Sequence, residues 1–211
     1  MPELISAIPA FLFTTFLLAV VPGQGVAMVL RQSIVGGPRS AFLSVLGNSA
    51  GLFIWGCLSA VGLSAIFAAS ETAYALLKWS GVIFLVYLSL QTLTHLRNTF
   101  GTFDLDSKAE TKSWPAFRLG LITNLTNVKA AVFAVAFLPQ FVPTNFSLGL
   151  GIFIFGCIWP FVSASWYTFL IWTIKKSAKY IQKPLVRRAL TAISAIGIMF
   201  LAVGLALSSG R

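Results

Sequence analysis

Apolar positions along the chain gather into six long runs, Ile5–Leu30, Ala41–Ala69, Ala73–Leu96, Ala116–Leu138, Phe146–Ile174 and Ala189–Ser209. Each is long enough to cross a bilayer, which takes about 20 predominantly apolar residues in helical form. The pattern therefore predicts an all-α integral membrane protein with about six transmembrane helices. The leader Met1-Pro2-Glu3 carries no Lys or Arg, and no small-residue cleavage site precedes a soluble domain. The first run is accordingly expected to belong to the fold and not to a cleaved signal.

The polar breaks differ in chemistry. Arg97–Ser113 mixes charges, with Asp104, Asp106 and Glu110, whereas Lys175–Arg188 is purely basic. Neither is long enough to be a domain. The chain thus reads as one transmembrane domain over 1–211, with three helices in 1–96, a cytoplasmic loop at 97–115 and three more helices in 116–211.

Composition agrees with this reading. Hydrophobic residues make up 57% of the chain and charged residues 9%, against about 25% charged in soluble domains. The net charge of +10 does not indicate nucleic acid, because binding of that kind needs a basic face on a folded soluble module. Its distribution fits the positive-inside rule instead. Two basic residues, Arg31 and Arg39, fall at the first connection. Four more (Arg97, Lys108, Lys112, Arg118) flank the third, and six (Lys175, Lys176, Lys179, Lys183, Arg187, Arg188) the fifth, twelve of the 15 in all. The expected partner surface is the lipid bilayer, with both termini on the non-cytoplasmic side.

Cys57 and Cys157 are too few and too apolar in context for a disulfide framework or a metal site. They read as buried free thiols, with an intramembrane redox pair as the alternative. No metal or cofactor is expected. One histidine and no intramembrane carboxylate argue against hydrolytic or metal-dependent catalysis.

The sequence also repeats. Gly51-Leu-Phe-Ile-Trp-Gly-Cys-Leu58 parallels Gly151-Ile-Phe-Ile-Phe-Gly-Cys-Ile158, with five of eight positions identical. Gly81-Val-Ile-Phe-Leu85 parallels Gly197-Ile-Met-Phe-Leu201, and Phe11 and Phe117 each stand eleven residues before Pro22 and Val128. A repeat of three helices places its copies in opposite membrane orientation, the inverted construction common in secondary transporters.

Sites in such folds lie where paired helices are interrupted at membrane depth. The first run is interrupted by Pro22-Gly23-Gln24-Gly25, which removes a backbone donor, loosens the chain and offers an amide. At the matching place the fourth run carries Asn124-Leu-Thr-Asn127-Val-Lys129. Asn124 and Asn127 are three apart and share a helix face, with Lys129 on its flank. Lys129 is the one basic residue well inside a run, and ionisable groups there usually face a watery cavity. In the functional reading Lys129 attracts a carboxylate, while Asn124, Asn127, Gln24 and open backbone groups bind polar atoms of a small solute. In the structural alternative Lys129 snorkels to an interface and the amides bond neighbouring helices. Gly47-Asn48-Ser49-Ala50-Gly51 permits close helix packing, and Asn48 is a further candidate for the site. Trp159-Pro160 is expected to kink the fifth helix.

Taken together, these motifs resemble the lysine exporter and homoserine/threonine-resistance (LysE/RhtB) family of bacterial amino-acid exporters. The resemblance runs along nearly the whole chain. It rests on Pro22–Gly25, Lys78-Trp79-Ser80-Gly81 with Phe84-Leu85-Val86-Tyr87-Leu88, Asn124–Lys129, Pro139-Gln140-Phe141 and the Gly197-rich last run. It implies a six-helix inner-membrane protein exporting amino acids or close derivatives, driven by a proton or ion gradient. Family members usually have Asn-Pro-Lys where this chain has Asn127-Val128-Lys129, so a softer break is expected here. Many also carry an acidic residue near the place of Trp159-Pro160, and its absence leaves no intramembrane carboxylate relay. A membrane thiol-disulfide carrier and a non-transporting scaffold are the rival readings, and homo-oligomerisation stays open.

Overall fold

The computed structural model describes residues 2–21, 23–98, 112–181 and 184–207. Among these the chain is helical throughout, with no strand. Most of the loop expected at 97–115 lies outside the described residues, as do Pro22 and Arg211.

Helix α1 spans Pro2–Val20. Proline suits a first helical turn, where its missing N–H costs nothing, and Glu3 sits where the helix dipole favours an acid. The chain leaves the helix before Gly23, which is fully extended (φ −163°, ψ −164°), and resumes as α2 (Gln24–Arg31). It stays helical as far as Gly36. A wide π-type turn over Gln32–Gly36 leads into α3 (Gly37–Ala69), entered through Gly37 at φ 81°, a left-handed value that glycine adopts without a Cβ penalty.

The single run Ile5–Leu30 is divided at the Pro22 motif, where the extended Gly23 ends the first helix. The connection expected around Arg31–Arg39 is present: Gly37 (φ 81°, ψ 170°) leaves the helical region and the chain folds back, so that an ideal Cβ on Gly25 of α2 lies 3.7 Å from Asn48 Oδ1 of α3.

Helix α4 is Glu71–Asn98. The fourth run is built from α5 (Ser113–Leu125) and α6 (Val128–Val132), with a π segment and a 3₁₀ turn extending the second piece to Phe141. The two pieces meet at a bend of 54°. The chain is thus broken at Asn127-Val128-Lys129 without a proline. Asn127 replaces the missing proline as breaker: its side-chain oxygen accepts the backbone N–H of Lys129 at 3.1 Å, an N-cap that starts a new helix in a new direction. Helix α7 (Leu148–Ile181) contains Pro160, and α8 is Pro184–Leu207. The basic stretch at 175–188 therefore largely continues these two helices.

By length and apolarity, Pro2–Val20, Gln24–Gly62 and Leu148–Thr173 are each able to cross a membrane, and the bent α5–α6 unit is a fourth candidate. Their outer faces are apolar: Phe13, Val61 and Phe161 are 64–77% exposed. Only lipid can cover such a surface at low cost.

Helix α3 is central, packed against α5 on one side and α7 on the other, while α4 packs on α8 and α1 on α7. Small residues set these distances. A Cβ on Gly47 would overlap the Phe117 carbonyl, and one on Gly120 the carbonyl of Ser44. Where α3 crosses α7, a Cβ on Gly56 would lie 2.7 Å from Gly156 Cα, and one on Gly156 2.8 Å from Gly56 Cα. Phe53 and Phe153 also meet, with ring centroids 6.4 Å apart. Residues at matching places in the sequence repeat thus touch each other. Cys57 and Cys157, both free and half-buried, stand one residue beyond this crossing.

Hydroxyls join helices that lack a hydrophobic drive to associate in lipid. Ser89 donates to the Ala195 carbonyl at 2.8 Å, tying α4 to α8, and Ser59 donates to the Ala134 carbonyl. An aromatic cluster fills the centre, with Phe11 4.6 Å from Phe155 and Phe133 4.9 Å from Trp159 between ring centroids.

Candidate functional site

The two helix breaks face each other. An α-helix leaves its last four carbonyls without intrahelical partners and its end partly negative. At the end of α1 that need is met from the other break: the Lys129 ammonium donates to the carbonyls of Leu18 at 3.0 Å and Val21 at 3.2 Å. Lys129 neither snorkels nor stands as a bare cation. It binds the open end of α1 and keeps one N–H beyond those two bonds. A Cβ on Gly23 would come 3.5 Å from its Nζ, ordinary contact distance, so the ammonium stands directly over this residue.

The α5 end is treated in a parallel way. The Asn124 carbonyl accepts the Trp55 indole N–H at 3.4 Å. The Asn124 side chain, 2% exposed, donates to Asn48 Oδ1 at 3.1 Å and lies in the notch left by Gly51, whose Cβ would sit 2.7 Å from it.

Between the breaks lies a small, partly open cavity of about 20 Å³, room for about one water molecule. Asn48, Asn124, Asn127 and Lys129 all line it, with Leu18, Ala19, Leu52 and Ala130 as the apolar wall. The polar residues expected from sequence to act together are thus brought together. Gly23 and Gly25 border the same space, beside Lys129 and Tyr167 respectively. Gln24 is exposed and does not line the cavity, and Pro22 lies outside the described residues.

Three further lining residues, Trp159, Ser163 and Tyr167, come from α7. They stand four apart, so one stripe of that helix faces the site. The sequence signal was this spacing, Trp159-x₃-Ser163-x₃-Tyr167, hidden in a helix apolar on every side. The lining holds one ammonium, several amides and hydroxyls, and no carboxylate. Such a set suits a small polar solute without net positive charge.

The Asn127 cap makes a measurable contribution. Asn127→Ala is expected to lower stability by about 1 kcal/mol, a Tm drop of about 2–4 °C for a chain of this size. Asn127→Ser, which restores an N-cap oxygen, should recover most of it in thermal unfolding of the purified protein.

Comparison with known proteins bears on what this arrangement does. The profile of the LysE type translocator family matches residues 16–209. The homoserine/homoserine lactone efflux protein of Salmonella typhimurium is 33% identical over 203 residues, 96% of either chain, and that of Salmonella typhi is equally similar. An uncharacterized membrane protein of Bacillus subtilis, YrhP, is 24% identical over 194 residues, 89% of this chain and 92% of its own. No solved structure matches the chain.

Proposed function

Since the chain belongs to the LysE type translocator family, and is on that ground an amino-acid exporter and not an enzyme, we propose that it carries small uncharged-side-chain amino acids or their lactones by alternating access. The observation that carries this reading is the cavity between two broken helices, with the Lys129 ammonium at its head. A substrate carboxyl or lactone carbonyl takes the remaining N–H of Lys129, and the amides of Asn48, Asn124 and Asn127 take the other polar atoms. Because lysine or arginine would bring a second cation to a lining without a carboxylate, they are poor substrates. The names of the Salmonella relatives support homoserine and its lactone as the first compounds to try.

Two three-helix halves in inverted orientation, 1–96 and 116–211, rock about the α3–α7 crossing in this proposal. The meeting of Phe53 with Phe153 and of Gly56 with Gly156 supports that symmetry. The charge distribution supports six spans, a cytoplasmic 97–115 segment, both termini outside and an inner-membrane location.

The test is accumulation in inside-out vesicles given a panel of labelled amino acids and homoserine lactone, against vesicles lacking the protein. Saturable, gradient-dependent uptake of small neutral members, with lysine and arginine excluded, is expected. Uptake of no panel member by correctly inserted protein would overturn the reading and return weight to a scaffold or thiol carrier.

A further inference from the structure

Tyr167 is 6% exposed, lines the cavity, and its hydroxyl has no hydrogen-bond partner among the described residues. The hydroxyl opens onto the cavity and is not one of the fully buried polar atoms that lack a partner, so it is free to bond a molecule held there, as tyrosine hydroxyls in half-apolar places commonly do. The hydroxyl is also held in place. It sits over Gly25, where an ideal Cβ would come 2.5 Å from Oη, 3.3 Å from Cζ and 3.7 Å from Asn48 Oδ1. Any side chain at position 25 would displace it.

Gly23 and Gly25 mark two points on one wall. Lys129 Nζ stands over the first and Tyr167 Oη over the second. Two residues of chain span at most about 7 Å, so the two donors stand close enough to address opposite ends of one small solute. Ser163, 4% exposed and one turn earlier on the same face of α7, adds a second hydroxyl beside this path.

We propose that Tyr167 is the specificity-determining residue of the cavity: its hydroxyl, seated in the notch left by Gly25, hydrogen-bonds an oxygen on the substrate's side chain while the carboxyl or lactone carbonyl faces Lys129. The substrate class is then short amino acids with a side-chain hydroxyl or ring oxygen, preferred over apolar ones of the same shape. A site built to hydrogen-bond a substrate hydroxyl rejects the analogue lacking it, because its own buried polar group is left unpaired. This inference rests on the transport reading above.

The experiment measures uptake of homoserine and its isostere norvaline into inside-out vesicles, for wild type, Tyr167→Phe and Gly25→Ala. The readout is the homoserine-to-norvaline ratio of kcat/KM, so overall loss of protein or activity cancels. Wild type is expected to favour homoserine, Tyr167→Phe to lower the ratio about tenfold, one net hydrogen bond, and Gly25→Ala to lower it in the same direction. An unchanged ratio in Tyr167→Phe, whether both rates fall or neither does, overturns the assignment and leaves the transport reading standing. Uptake of neither compound by wild type overturns both.

Discussion

Lys129→Ala is expected to reduce gradient-driven export at least a hundredfold in protein that still inserts and purifies as a single species. Two losses coincide at this position. The carbonyls of Leu18 and Val21 lose the ammonium that binds them at 3.0 and 3.2 Å. Each buried carbonyl left unpaired costs about 1–3 kcal/mol, and at membrane depth water is scarce as a substitute. The cavity also loses its single positive charge, to which a carboxyl or carbonyl would bind. A hundredfold fall corresponds to about 2.7 kcal/mol, within reach of one charge-assisted hydrogen bond in a partly desolvated site. Lys129→Arg separates the contributions. It keeps a charge and can still cap α1, but its planar fork does not reproduce the tetrahedral set of three donors. Stability near wild type with export still lowered at least tenfold is the expected pattern. Full export by Lys129→Ala, measured in vesicles with equal amounts of protein, would remove Lys129 from the site.

Gly120→Val is expected to cost most in stability. Even the Cβ of such a residue would overlap the Ser44 carbonyl, which is backbone and has no rotamer with which to yield. Helices α3 and α5 would have to separate. Overpacking of this kind typically costs 1–3 kcal/mol and more where backbone is struck, so a loss of about 3 kcal/mol or greater is anticipated, with little folded protein recovered from membranes. The separation also draws Asn124 away from Asn48, so the surviving fraction should transport poorly. Gly204→Ala is the control, because a Cβ there meets nothing within 4 Å. Its detergent Tm should stay the same or rise slightly. A Gly120→Val protein as stable as the Gly204→Ala control would contradict the tight crossing.

The parts of this architecture that the sequence announces are those where polarity interrupts an apolar run. Gly23 and Asn127 disturb long hydrophobic stretches, and both breaks occur where they were expected. Even so, the fourth segment bends without its family proline, because an asparagine cap does the same work by a different bond. The site-facing stripe of α7 was illegible because it lies in a helix that is apolar all round, so periodicity carries no sign of which face is inside. Trp159 is 1% exposed and Phe161, two positions on, 73%, yet both are large aromatics and a sequence gives them equal standing. The engagement of Lys129 was hidden as well. Its partners are main-chain carbonyls 108 and 111 positions away, and any residue would supply such carbonyls.

The contact between Gly56 and Gly156 is backbone against backbone, and it lies inside two long rods. Nineteen residues separate Gly56 from Gly37 at the start of α3, an arm of about 28 Å. A tilt of about 10° at this fulcrum would sweep the far end of the arm through about 5 Å, on the order of one helical turn. In the proposed rocking, mechanical advantage of that size would let a movement too small to disturb the bonds at the centre open or shut a passage wide enough for a small solute at the membrane surface.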